Sequence, residues 1–216
     1  MFYSDQMVPD MKIATVRHES KSRFLQAALQ VIRVKGYTAT TVEVVCEAAG
    51  LTKGSFFHHF DSKEELALAA ADYWTEGAGE LFASAPYHAQ ADALDRLLAY
   101  VDFRKALLAG ELADFTCLAG TMVQEVYETH PAIREACNKS ISSHAETLEL
   151  DIAEAMREYG VTGEWTAPSL ALYTQAVLQG SFILAKAKGG PAVALECLDH
   201  LRRYLEMLFQ QKVDAA

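Results

Sequence analysis

Residues 36–66 read GYTATTVEVVCEAAGLTKGSFFHHFDSKEEL, and the turn in their middle, Ala49-Gly50-Leu51-Thr52, decides how the rest of the chain is understood. Before it, Thr40 followed three residues later by Glu43 has the form of a capping box that opens a helix. That helix carries Val42, Val45 and Ala49 on one inward face, and Gly50 supplies the left-handed residue that ends it. After the turn, Thr52 can cap a second short helix that runs to Phe60. Two short helices joined by a tight glycine turn form a helix-turn-helix, whose second helix lies in the major groove of DNA with its first residues at the base edges.

The candidate reading helix begins TKGSFFHH. Lys53 brings charge, Thr52, Ser55, His58 and His59 bring donors and acceptors, and Gly54 allows close approach. The free amides of the first turn favour phosphate oxygens. Phe56 and Phe60 have the spacing of core residues against Val42 and Val45, whereas Phe57 is open between core and surface. On the N-terminal side, Phe24, Ala28, Val31 and Ile32 predict a helix over residues 19–35, stopped at Gly36. On the C-terminal side, Ser62 with Glu65 predicts a further capping box and a longer helix that runs past Trp74.

Charge follows the same division. The chain of 216 residues carries a formal net charge of −10, which by itself argues against a phosphate-rich partner. Residues 11–60 nevertheless hold seven basic side chains (Lys12, Arg17, Lys21, Arg23, Arg33, Lys35, Lys53) against three acidic ones (Glu19, Glu43, Glu47). One basic segment that docks on an anion while an acidic body stays clear of it fits this asymmetry. The basic stretch from Lys12 to Arg23 is read either as a solvated arm or as one that tracks a minor groove.

Beyond residue 66 the three- and four-residue recurrence of apolar positions continues, with almost no strand signal, so the fold class is all-α. Helices are predicted near residues 92–108, up to Thr129, over 132–159, 167–188 and 191–211, with Gly189-Gly190-Pro191 between the last two. The expected organisation is an N-terminal extension over 1–18, a three-helix DNA-binding domain over 19–66, and a larger helical effector-binding and dimerisation domain over 67–216. The last two helices carry apolar stripes, Leu170, Tyr173, Val177, Gly180 and Leu184 on one, and Ala194, Leu198, Leu201, Leu205 and Leu208 on the other. Paired with their copies in a second chain they would form a four-helix bundle, with Gly180 and Ser181 allowing close approach, and a two-fold dimer would set two reading heads on a palindromic duplex. An excess of aromatic, sulfur and isolated polar residues suggests a cavity for a small effector, lined by a subset of Phe103, Leu107, Cys117, Met122, Tyr127, His144, Tyr173 and Gln179.

The stretch from Gly36 to Leu66 resembles the N-terminal signature of the tetracycline-repressor (TetR) family almost position for position. It has the glycine-aromatic pair, the paired threonines Thr40 and Thr41, the Ala-Ala-Gly turn, the Lys-Gly step, the aromatic-His-x-Phe run and the Ser-Lys-Glu-Glu-Leu helix start. The resemblance implies a dimeric, ligand-responsive repressor of double-stranded operator DNA. It places Thr41 on phosphate, Thr52 to Ser55 with His58 and His59 at the groove, and Lys63 on the DNA backbone; Thr40 is counted in the same set. Phe57 stands where the family usually has tyrosine, which removes a phosphate-bonding hydroxyl. FTCLAGTMVQEVYETHPAIREA, residues 115–136, is similar to a stretch that borders the ligand cavity in many members, and the resemblance implies that the helix from Ser62 through Trp74 links cavity to head.

Several function classes find no support. Cys46, Cys117, Cys137 and Cys197 make no C-x-x-C and lie too far apart for a paired zinc motif, so no metal and no cofactor are expected, and a reduced, cytoplasmic protein is. The opening MFYSDQMVPDMK lacks an apolar run, and residues 170–185 are interrupted by Thr174, Gln175, Gln179 and Ser181, so no membrane partner is expected. An enzyme using His130 or His144 with Glu128 or Glu146 lacks a nucleophile elbow, a phosphate loop and a His-Glu-x-x-His motif. A repressor switched by oxidation of Cys117 remains a second reading beside the ligand-released one.

Overall fold

The computed structural model describes residues 19–210, and the expected extension over 1–18 lies outside them. The described residues are helical and contain no strand. α1 (Glu19–Lys35), α2 (Val42–Ala49) and α3 (Lys53–His59) form the N-terminal head, and α4 (Lys63–Ala83) leads out of it. A short 3-10 turn (Pro86–Ala89) precedes α5 (Ala93–Ala106), α6 (Leu112–Phe115), α7 (Leu118–Val126) and the long α8 (Pro131–Glu158). α9 (Ala167–Lys188) and α10 (Ala192–Gln210) close the chain, separated at Gly189, which adopts the left-handed conformation.

The head is built on phenylalanine. Phe24 of α1 meets Phe56 of α3 edge-on at 5.5 Å and Phe60 at 6.2 Å, with Ile32, Val45 and Ala49 filling the remaining space. Edge-to-face rings of this kind add to the area they bury and fix the angle between helices. The turn between α2 and α3 closes through Gly50, whose N–H reaches Glu47 O at 3.0 Å while Leu51 N reaches Cys46 O at 2.9 Å. Arg23 of α1 donates to Ala49 O at 2.5 Å, so the last carbonyls of α2 are satisfied from within the head.

The cap of α2 is one residue later than the spacing predicts. Thr41 has the extended conformation and its hydroxyl accepts from Val44 N at 3.4 Å, whereas Thr40 is fully buried and donates to Gly36 O at 2.6 Å. Ser62 caps α4 as predicted, accepting from Glu65 N at 3.1 Å, while the Glu65 carboxylate accepts from Asp61 N at 2.6 Å.

No seam in the core follows residue 66. α4 continues unbroken, and Leu66, Ala67, Ala70 and Tyr73 share one buried cluster with Phe24, with Leu118, Met122 and Val126 of α7, and with Ile133 and Cys137 of α8. A second cluster holds the body together: Leu97, Tyr100 and Val101 of α5, Leu148 and Ile152 of α8, Leu178 and Phe182 of α9, and Leu198, Leu201 and Leu205 of α10.

That second cluster corrects half of the expected dimer stripe. Leu170, Ser181, Leu198, Leu201 and Leu205 are all buried within the subunit, Leu198 at 0% exposure, where α9 packs on α8 and α10 and where α10 packs on α5. Leu208 is half-buried against the same cluster, as is Val177. Only Tyr173, Gly180 and Leu184 of the expected set, with Val177 at their edge, lie toward the outer side, where Leu172, Ile183, Tyr204 and Met207 join them. Tyr173 and Tyr204 touch across the two helices at 5.2 Å. Both helices are therefore apolar on two sides, one for the core and one for something outside the subunit.

Candidate DNA-reading surface and effector cleft

α3 presents Thr52, Lys53, Gly54, Phe57 and His58 to solvent, with Ser55 half-buried beside them. Thr52 caps the helix by accepting from Ser55 N at 3.2 Å. Lys53 makes an ion pair with Glu43 of α2, and the Glu43 carboxyl is lowered to about 2, chiefly by that hydrogen bond; both side chains are more than half exposed, so the pair is screened and easily exchanged. Phe57 is 55% exposed, with its ring edge-on to that of Phe56 at 5.2 Å, so it belongs to the surface and not to the core. Gly54 has a negative φ, and a Cβ added there would meet nothing closer than Thr52 Oγ1 at 3.8 Å.

Three residues expected at this surface are engaged elsewhere. Thr40 is sealed in the head, as described above. His59 turns toward α1, where its Nε2 lies 2.7 Å from Ser20 Oγ and its ring packs against Phe24 at 6.2 Å. Lys63 donates to Tyr37 O at 3.1 Å and sits 4.2 Å over the Tyr37 ring, and desolvation lowers its pKa. It braces the turn between α1 and α2. Thr41 is exposed at the start of α2, and its side chain hydrogen-bonds the same Glu43 carboxylate that pairs with Lys53 at the start of α3.

The body holds an open cleft of about 220 Å³ between α7 and α9. Thr116, Cys117, Gly120, Thr121, Gln124 and Glu125 line one side, and Gln179, Phe182, Ile183 and Lys186 the other. Gly120 permits this approach, since a Cβ there would lie 2.1 Å from Gln179 Oε1. Cys117 is the N-cap of α7, its Sγ accepting from Gly120 N at 3.4 Å.

Of the eight residues expected around a cavity, the cleft brings together Cys117 and Gln179. Phe103 and Leu107 pack against the body core. Met122 is fully buried between α7 and the head. Tyr127 is 57% exposed just past the end of α7, and Tyr173 faces outward beside Tyr204. His144 is taken up by a network in the body: Gln175 Nε2 donates to Tyr100 Oη at 3.4 Å, and Tyr100 Oη lies 2.9 Å from His144 Nε2. Desolvation, with a smaller contribution from Arg104, pushes His144 down to about 3, so it is neutral and can accept that bond.

Two family profiles match the chain: "Bacterial regulatory proteins, tetR family" over residues 24–70, and "Tetracyclin repressor-like, C-terminal domain" over residues 93–203, more than half of its length. The chain belongs to the tetracycline-repressor family. It is a DNA-binding transcriptional regulator of that family, whose members bind operator DNA as dimers and respond to small molecules. Among relatives of this TetR chain, the regulator YerO of Bacillus subtilis is 37% identical over 57 residues, 26% of this chain and a fifth of YerO's own length. The transcriptional regulator AcuR of Cereibacter sphaeroides is 26% identical over 71% of this chain and 67% of its own. A TetR regulator from Chloroflexus aurantiacus superposes with a TM-score of 0.75 at 27% identity, covering 87% of this chain and 94% of that one. CifR, a TetR-family regulator solved with a 26 bp double-strand operator, superposes with a TM-score of 0.71 at 17% identity, covering 88% and 97%.

Within the TetR frame, the cleft residues that sequence reading missed are Thr116, Gly120, Thr121, Gln124 and Glu125 on one side and Phe182, Ile183 and Lys186 on the other. A signal for them exists: positions 117, 120, 121 and 124 fall on one face of α7 and are small or polar where a helix packed on both sides should be apolar. Glu125 does more than line the cleft. Its carboxylate accepts from Tyr37 N at 3.2 Å and Thr38 N at 2.8 Å, the turn that launches the reading unit. Among the described residues no helix is long and apolar enough to cross a membrane, and no group of three or more His, Cys, Asp or Glu is placed to hold a metal ion.

Proposed function

We propose that the first turn of α3 reads the major groove through Thr52, Lys53, Gly54 and Ser55, with Phe57 and His58 beside them and Thr41 on the phosphate backbone, and that a small molecule in the α7–α9 cleft releases the head from its operator. The observation that carries the reading is Gly54. A glycine within a helix costs up to about 1 kcal/mol relative to alanine, and the fold gives no return for it, because φ is negative and the space around it is open. Close approach of an external surface gives the reason that internal packing does not. The outward apolar face of α9 and α10 then joins two chains, and the two heads take two half-sites of a near-palindromic duplex. Relatives that are regulators support a regulator over a catalyst, acting in the cytoplasm where such an operator lies.

The test begins with selection of bound sequences from a random duplex pool, with the recovered site used for all later binding. G54A should be as stable as the parent or up to about 1 kcal/mol more so, yet bind the selected site at least tenfold more weakly. An alanine variant that binds as well as the parent refutes the placement of α3 in the groove.

A further inference from the structure

The cleft is built around a positive charge that makes no close ion pair. Lys186 donates to Thr121 Oγ1 at 2.8 Å and pairs with no carboxylate within 4.0 Å among the described residues, and partial desolvation lowers its pKa. Cys117 and Glu125 act on Lys186 in the opposite direction, and Arg33 lowers its pKa slightly further; Arg33 directs its hydrogen bonds to the carbonyl oxygens of Leu29 and Asp114, and burial lowers its pKa as well. The one carboxylate on the cleft wall, Glu125, is engaged with the Tyr37 and Thr38 amides. Beside them Thr116 is 1% exposed, and its Oγ1 has no hydrogen-bond partner, a rare condition for a buried hydroxyl. Phe182 and Ile183 give the cleft an apolar wall, and its volume of about 220 Å³ is below that of most drug-sized pockets.

We infer that the cleft binds a small carboxylate with a short apolar or planar body, its oxygens taken by the Lys186 ammonium and, after the Thr116 side chain turns out of the wall, by the Thr116 hydroxyl, and that Glu125 relays the arrival of this charge to the DNA-reading head. The inference rests on the reading of the cleft as the effector site. A second negative charge in a partly desolvated cleft repels the Glu125 carboxylate and weakens its hold on Tyr37 N and Thr38 N. That turn joins α1 to α2, and Lys63 at the head of α4 grips its carbonyl, so loosening it frees the reading unit from both α4 and α7. Reciprocity requires that operator DNA, by favouring the clamped turn, weaken carboxylate binding by the same factor.

Calorimetry on the full chain, with and without the selected operator duplex, tests this with acetate, butanoate and benzoate against the neutral butanamide and benzamide. The expected result is that butanoate or benzoate binds at least tenfold more tightly than its amide. Binding should fall at least tenfold in K186M and several-fold in T116V, with K186Q replacing K186M if the latter fails to fold. E125Q should bind the acid as tightly as the parent or more so while operator affinity no longer responds to it. Amides that bind as well as acids, a K186M variant with unchanged affinity, or a panel that does not bind at all overturns the carboxylate assignment. Release that persists in E125Q overturns the relay. A neutral compound that releases operator from the parent but not from the cleft-filling T121W leaves the effector reading intact and removes only the charge argument.

Discussion

Replacing Gly36 by alanine tests the junction between head and body at its tightest point. Gly36 has φ +84°, and an added Cβ would lie 2.1 Å from Glu125 Oε1 and 2.8 Å from its Cδ, so the carboxylate must leave. Two costs follow. The left-handed conformation costs an alanine about 1–2 kcal/mol. Displacing the carboxylate forfeits its bonds to Tyr37 N and Thr38 N; the Thr38 amide is exposed and turns to water, so the net loss is near that of one charge-assisted bond, about 1.5–3 kcal/mol. The total for G36A is about 2.5–5 kcal/mol, which for a chain of this size lowers Tm by roughly 5–20 °C.

The value of the experiment lies in the double variant. E125A alone should cost about 1.5–3 kcal/mol, the bond loss without the backbone strain. In G36A/E125A the clash has no object, so the pair should cost about as much as G36A alone, and the two effects should fall short of additivity by about 1.5–3 kcal/mol. Urea unfolding of all four proteins at one fixed concentration, with m compared across the set, reads this directly. If the double variant loses the full sum of the single losses, Glu125 and Gly36 act independently and the clamp described here does not exist in solution.

The outward face of α9 and α10 makes a contrast testable by light scattering and circular dichroism: Y204E/M207E, at 40% and 61% exposure, should be a helical monomer with weakened operator binding, while L198E, at 0%, should lose its fold. A Y204E/M207E protein that stays dimeric places the interface elsewhere. His144 gives a pH signature. Its folded pKa of about 3 lies below its ordinary 6.5, so the unfolded chain binds the extra proton between these values and stability falls as pH drops through that window, by up to about 1.4 kcal/mol per unit. H144Q should flatten the stability profile from pH 6.5 to 4; an unchanged slope would mean that His144 is protonated in the folded protein.

Legibility in the sequence followed the range of the interactions. Caps and turns join neighbours a few residues apart, so Gly50, Thr52 and Ser62 could be placed directly, and the single error, Thr40 for Thr41, came from two adjacent residues with the same hydroxyl and nearly the same register. The dimer face failed for a different reason. α9 and α10 are apolar on two sides, and periodicity identifies a stripe without saying what covers it, so Leu198 at the core and Met207 at the surface carry the same signal. The cleft was least legible because it exists only where α7 meets α9, about sixty residues later, and polar residues on an amphipathic helix ordinarily face water. Glu125 shows the limit most clearly. Beside Gln124 on α7 it reads as a solvated charge, yet its partners are amides 87 and 88 residues earlier. Only Gly36 carries a trace of that arrangement, and an adequate local explanation concealed it: the glycine ends α1, and the same missing Cβ also makes room for the carboxylate that ties α7 to the head.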